Sequence, residues 1–399
     1  MDFSSKELIY LKRAFLDTER YVRRQQYKGY DPYDVLLSRF PFRKLGKWPP
    51  ILAIQLFKRN PVNLRPLFRV PKQWNPKALG LFLHGYSLLP KSDENRERCE
   101  WLFKKLMELK TPDVTGLAWG YPFPWASPEK YLPAWSPTSV VSGFIAQGLD
   151  AYYRTYGDKR ALRAMEDICG FLSEALFHTE LKDGGYAISY STVQPDFCYN
   201  ASLLAAETYA RTYAHTSQEA YRSIAIKALD TVLTRQKSDG SWNYSENLET
   251  GKQRVQIDFH QGFMLDSILC IADCCDCHTD AVESAISEGF EFYRVKQFTQ
   301  NGRALWRLPG NYPVDVHQQA QGIISAVREY RYNANRRAAV MAKAATLYAL
   351  ENLYSGRGFW YYRKHKYFTD HTSYMRWGNA WMFLAMAEVI KKHKTTVHP

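Results

Sequence analysis

A chain of 399 residues that is 46% hydrophobic can bury a substantial core, which excludes wholesale disorder. Its longest apolar run, near residues 50–57, is too short to span a membrane, and residues 1–7 lack the pattern of a secretory signal, so a cytoplasmic setting is expected. The net charge of +13 is uneven: residues 1–80 hold 17 Lys/Arg against 6 Asp/Glu, a net of +11, and the rest contributes only +2.

In chain order, residues 4–28 predict a long basic helix, with Leu8, Leu11, Ala14, Phe15 and Tyr21 at helical spacing. Residues 30–76 are rich in Pro and aromatics and read as an irregular wrapping arm. Residues 1–78 therefore form a basic N-terminal unit. Within it, Phe40-Pro41-Phe42-Arg43-Lys44-Leu45-Gly46-Lys47-Trp48 interleaves cations with large apolar groups. That composition suits an anionic membrane surface or a solvated basic face. No nucleic-acid-binding module accompanies the charge, so nucleic acid is not an expected partner.

From residue 79 to 399 the chain repeats a polar helix start that runs into an apolar helix. Clear copies are Pro195-Asp196-Phe197-Cys198-Tyr199-Asn200, Ile257-Asp258-Phe259-His260-Gln261 and Val314-Asp315-Val316-His317-Gln318, with looser ones at 136–143 and 374–381. Counted from Thr138, Cys198, Phe259, Val316 and Met375, the intervals are 60, 61, 57 and 59 residues, and a further step back lands near Leu79. A fixed period slightly longer than a helical hairpin marks a repeat architecture. Second, amphipathic helices are predicted near 92–109, 158–177, 217–236, 278–296 and 334–354. Short breaks precede most of them, such as Tyr156-Gly157-Asp158. Longer returns run near 110–137, 178–195, 237–257, 297–314 and 355–373, most with Gly beside an aromatic. In a closed ring, this alternation puts every long loop on one rim, where function concentrates.

Six polar-start helices, five second helices and the N-terminal helix make an all-α, (α/α)6 toroid with short β-hairpin-like loops on one rim, residues 4–28 filling its last gap. This resembles the six-hairpin, alpha/alpha-toroid superfamily of carbohydrate-active proteins. The strings Trp119-Gly120-Tyr121-Pro122-Phe123-Pro124-Trp125 and Tyr374-Met375-Arg376-Trp377-Gly378-Asn379-Ala380-Trp381 look like toroid proteins encoded with bacterial capsule and exopolysaccharide biosynthesis enzymes. The resemblance implies sugar handling, on an oligosaccharide or polysaccharide.

Inner-helix N-termini gathered on the long-loop rim would present unpaired N–H groups and positive dipole ends, suited to a uronate, sulfated sugar or diphosphate. Trp119, Tyr121, Trp125, Tyr186, Trp242, Trp306, Trp360 and Trp377 either offer flat faces to sugar rings or pin the loops. Asp196, Asp258 and Asp315 precede three inner helices as expected N-caps. Asp258 and Asp315 are also candidates for the carboxyl pair of glycoside cleavage, which needs a separation of about 5–9.5 Å. His260 and His317 match in adjacent repeats and could act as an acid/base pair. The resemblance adds that sugar 2-epimerases on this toroid use paired histidines. His84 would be a third histidine of the lumen. Arg376, with Asn379 beside it, is the expected grip for a carboxylate, and Asn200, Gln261 and Gln318 are further polar candidates at the helix starts.

Cys270, Cys274, Cys275, Cys277 and His278 cluster in one segment, where small apolar packing and metal ligation are both open readings. No metal or other cofactor is expected at the site. Gln236-Lys237-Ser238-Asp239-Gly240-Ser241-Trp242 fits a Gln-x-x-x-Gly-x-Trp string of terpene cyclases, but no Asp-x-Asp-Asp acid motif accompanies it. An epimerase, hydrolase or lyase acting on an anionic or lipid-linked oligosaccharide leads, with a non-catalytic glycan-binding scaffold as the rival.

Overall fold

Helices alternate between two concentric layers along the chain. The computed structural model describes residues 1–128 and 131–395. Its helices are α1 Ser5–Arg24, α2 Trp48–Arg59, α3 Pro76–Ser87, α4 Asp93–Glu108, α5 Ser139–Tyr156, α6 Lys159–Ala175 and α7 Tyr199–Thr216. They continue as α8 Glu219–Leu233, α9 His260–Cys275, α10 Asp280–Gln297, α11 Val316–Asn333, α12 Arg336–Asn352 and α13 Trp381–Thr395. Residues 129–130, in the expected 110–137 loop, and 396–399, at the end of the expected toroid, lie outside the described residues.

The inner ring is α3, α5, α7, α9, α11 and α13, each packed on the next, with α13 returning to α3. Against these pack α4, α6, α8, α10, α12 and, on α13, α1. The layering follows from burial. Inner helices have no solvent face: α3 is buried at every position and α5 from Ser139 to Tyr152. Outer helices bury one stripe, as in α6 with Ala161, Ala164, Met165, Ile168 and Leu172. Inner neighbours approach closely where side chains vanish. A Cβ on Gly148 would stand 2.5 Å from the Gly80 carbonyl oxygen.

Four inner helices, α5, α7, α9 and α11, end on the short-loop rim in left-handed residues, Gly157, Ser217, Asp276 and Ala334, which turn the chain outward. At the opposite rim the long loops form small antiparallel sheets. Trp125–Ala126 pairs with Tyr131–Leu132, and His178–Glu180 with Tyr186–Ile188. Three-stranded sheets join Phe197–Cys198, Ser245–Glu246 and Gln253–Arg254, and Val314–Asp315, Arg363–Lys364 and Thr369–Asp370.

The arm is more regular than its composition implies. Pro49 and Pro50 read as breakers, yet they occupy the first turn of α2, where missing N–H groups cost nothing. Ile51, Ile54 and Phe57 of α2 pack with Val35 and Ala126, which seats the arm over the long-loop rim. The other face of α2 leaves Trp48, Leu52 and Leu56 exposed. Among the described residues no helix is long and apolar enough to cross a membrane.

Candidate functional site

On the long-loop rim the helix starts surround a cavity of about 220 Å³. This lies below the range of about 300–1,000 Å³ for drug-sized ligands and suits a group the size of one sugar unit. Of the expected site residues, Tyr121, Trp125, Asn200, Asp258, His260, Trp306, His317, Arg376 and Trp377 line it. Lys58, Lys77, Arg307 and Arg376 are its Lys and Arg side chains, and Asp258 is the one carboxyl group among the described lining residues.

Three of the lining side chains are placed by one local device. An Asx side chain accepts the backbone N–H two residues later: Asn75 from Lys77 at 3.1 Å, Asp258 from His260 at 3.2 Å and Asp315 from His317 at 3.0 Å. The basic residue then sits in the first turn of α3, α9 or α11 and lines the cavity. Lys77 belongs to this set and was not singled out in the sequence. The signal was the string Asn75-Pro76-Lys77, which parallels Asp258-Phe259-His260 and Asp315-Val316-His317.

The two histidines differ in their surroundings. His260 Nδ1 lies 2.5 Å from Asp258 Oδ1, and Asp258 also accepts Gln256 Nε2 at 2.8 Å. Burial would raise the Asp258 carboxyl, but the charge and hydrogen bonds of His260 outweigh it and hold it below its ordinary value. His317 has no hydrogen-bond partner on either ring nitrogen. That absence holds among the described residues, where the ring stacks on Phe259 at 4.4 Å and on Trp381 at 4.5 Å. Burial first, then the charges of Lys77 and Arg376, push its pKa well below the usual imidazole value, so it is neutral near pH 7. The Phe259 ring also contacts His260, at 4.2 Å.

Arg376 and Trp377 come from a π-helical turn, Met375–Ala380, that leads into α13. Asp31 of the arm grips Arg376 bidentately, with 2.6 Å to Nε and 2.7 Å to a terminal nitrogen. The guanidinium lies 4.9 Å from the Tyr121 ring and 5.0 Å from the Trp377 ring. The arm also supplies Tyr33 and Lys58, joined by a 2.6 Å hydrogen bond. Neither these residues nor Asp31 were among the sequence candidates, because nothing local in the arm points to a cavity built by the far end of the chain.

The remaining candidates do not line this cavity. Asp315, expected as a catalytic carboxylate, is buried behind it: besides capping α11 it accepts Arg363 Nε and Trp377 Nε1, each at 2.8 Å. Gln261 clasps the Trp242 backbone through both amide atoms, and Asn379 accepts the Trp360 N–H at 3.1 Å. Gln318 donates to the Leu305 carbonyl. Trp119 and Trp242 are fully buried, each donating its indole N–H to a carbonyl of an outer helix, Leu106 and Val232. These residues stitch loops to the barrel, as does Gln236 of the Gln-x-x-x-Gly-x-Trp string, which donates to Gly240 and Ala285. Asp196 does not cap α7; it accepts the Tyr190 N–H. His84 is in the lumen but at the other end. It lines a second cavity of about 390 Å³ with Asp150, Arg211, Asp266, Arg328 and Glu388. Cys270 and Cys274 line that end too, their sulfurs 3.8 Å apart, and among the described residues no group of three potential metal ligands forms.

No family model matches the chain, and no curated protein is detectably similar in sequence. Solved structures are similar in shape. Cellobiose 2-epimerase from Bacillus thermoamylovorans B4167 superposes with a TM-score of 0.64 at 13% identity, over 82% of this chain and 90% of that one. The GH76 alpha-mannanase BT2949 of Bacteroides thetaiotaomicron gives 0.65 at 16%, over 81% and 88%. A D-mannose isomerase gives 0.60 at 12%, over 80% and 87%. At these identities the likeness speaks for architecture, and the architecture is the (α/α)6 toroid of these carbohydrate-active enzymes.

Proposed function

We propose that the chain is a sugar epimerase or isomerase acting on an anionic, uronate-type sugar, with His260 and His317 moving the proton. The observation that carries this reading is the make-up of the cavity: two imidazoles and, among the described lining residues, a single carboxyl group beside four basic side chains. Glycoside cleavage ordinarily uses two carboxyl groups facing one bond. Asp315, the second candidate, is fully engaged behind the wall. Proton transfer beside a carbonyl needs instead a neutral base, an acid on the other face and positive charge near the developing oxyanion. His317 is neutral and has free lone-pair capacity. The Asp258 carboxylate fixes the orientation of the His260 ring. Arg376, Lys58 and Arg307 favour an acidic substrate, and Trp377 and Tyr121 give its ring a flat wall. Cellobiose 2-epimerase and D-mannose isomerase among the similar structures fit this chemistry.

The setting we infer is polysaccharide or lipid-linked oligosaccharide assembly at an anionic membrane, supported by the exposed apolar face of α2 beside the cavity rim. The test is hydrogen exchange. Incubated in deuterated water with D-glucuronate, D-mannose, D-glucose and cellobiose, the protein should carry deuterium into C2 of at least one, seen by NMR. His260→Ala and His317→Ala should each slow this by about 100-fold or more. Sugar binding with no exchange on any of them would replace this reading with the glycan-binding one.

A further inference from the structure

We propose that Lys77 is a nucleophilic amine of this site, which captures the open-chain carbonyl of the sugar as an imine. The proposal rests on the epimerase reading and adds a covalent step to it.

Lys77 is 3% exposed, yet its side chain lines the cavity. Its Nζ sits 3.9 Å from the Phe144 ring centroid, 5.3 Å from Trp381 and 5.5 Å from Phe263. Among the described residues no carboxylate pairs with it and no acceptor takes a hydrogen bond from it. Phe263 and Trp381 are also the rings that contact His317, at 5.6 and 4.5 Å, so amine and imidazole share one aromatic floor. A buried lysine kept only as a charge would be expected to have a counter-ion. This one faces a small reactive-sized cavity from the position that His260 and His317 occupy in their own repeats. Burial, followed by the Arg376 charge, pushes the amine well below its usual value, and the α3 N-terminus acts in the same direction. A desolvated lysine beside another cation is a recognised way to expose a free amine at neutral pH.

The step balances without any further reagent. The Nζ lone pair attacks the aldehyde carbon C1 of the ring-opened sugar, the carbon–oxygen π electrons move to oxygen, and a proton from nitrogen passes to that oxygen. Loss of the oxygen as water forms the C=N bond. Protonated, the imine withdraws electrons from C2 more strongly than the aldehyde did, which eases removal of the C2 proton by His317. Water then reverses the capture and releases the product and the amine.

Reductive trapping tests this. The protein is treated with cyanoborohydride and either glyoxylate, a small anionic aldehyde, or D-glucuronate, and the labelled lysines are mapped by mass spectrometry. Lys77 should be labelled faster than any exposed lysine, since a lowered amine pKa leaves a larger unprotonated fraction. Lys77→Met should abolish that label and slow C2 exchange by at least about tenfold. Met replaces the buried amine with an apolar chain of similar length, so thermal melting should show a folded variant. Labels confined to exposed lysines, with Lys77 unmodified, would overturn the imine. If C2 exchange persisted in that case, the epimerase reading would stand without it. A trapped Lys77 with no C2 exchange on any sugar would keep the amine site and remove the epimerase reading.

Discussion

His84 shows how burial writes a pH dependence into one residue. Burial, then the Arg328 charge, pushes its pKa down to about 3, and its Nδ1 has no partner among the described residues. The unfolded chain binds this proton near pH 6.5 and the folded chain does not, so stability conferred by keeping it neutral is full above pH 6.5 and lost as pH falls toward 3. His84→Met should remove that loss. Relative to the wild type, the variant should gain about 2 kcal/mol on going from pH 7 to pH 5, measured by chemical denaturation at both. Asp34 and Asp266, raised to about 6 by burial, work in the opposite direction but are present in both proteins. The residue scale is also where the sequence was hardest to read. His260, His317, Asn200, Arg376 and Trp377 reach the cavity, whereas Asp315, Gln261, Gln318 and Asn379, from the same repeated strings, bind loops. An inner helix is buried on all sides, so it has no polar face to show which of several successive polar residues looks inward.

Among elements, α2 carries two opposed apolar faces in twelve residues. Ile51, Ile54 and Phe57 are spent on the arm's own core, and Trp48, Leu52 and Leu56, four residues apart, are 59%, 64% and 61% exposed. Leu45, Val62 and Leu67, close to α2 in the sequence, are exposed as well, and Arg43, Lys44, Lys47 and Arg59 flank its apolar residues in the sequence. In the membrane setting proposed above, such a helix would lie in a lipid interface rather than across it. Substituting Trp48, Leu52 and Leu56 together with Ser should cut co-sedimentation with phosphatidylserine vesicles by more than about tenfold, because each buried side chain is worth about 1.5–3 kcal/mol. Unchanged sedimentation would refute this use of α2. The outer helices were legible to within a few residues because a single buried stripe leaves a clear period, as in α6 and α10. Helix α2 was hidden because Pro49 and Pro50 mask a helix start.

At the scale of the whole molecule, the arm and the barrel are joined by ion pairs that both parts bury. Asp31 with Arg376 and Asp34 with Arg65 link the arm's loops to each other and to the π turn, and Arg65 also donates to Tyr374 at 2.8 Å. Asp31→Ala would leave the Arg376 guanidinium buried without its partner, and should cost about 3–5 kcal/mol in chemical denaturation. Restoring an apolar match with Asp31→Leu and Arg376→Met should recover most of that stability while acidic-sugar turnover stays lost. The overall ring was legible because its period, near 60 residues, is imposed by a hairpin long enough to cross the barrel twice. The arm's part in the cavity was not, since Asp31 and Arg376 meet across 345 positions of sequence.

Helix α1 packs on α13, so the first of the described helices to be synthesised finds its place only beside the last of them. During synthesis the growing barrel is a crescent with one raw edge, and α1 waits with Leu11, Phe15 and Val22 uncovered until α13 arrives. Closure therefore comes as one late event of very long range, slow to nucleate and strongly cooperative once made. The same event completes the mouth, because the turn bearing Arg376 and Trp377 is laid down just ahead of α13. Catalytic competence and ring closure should thus appear together in refolding, with no active half-barrel preceding them.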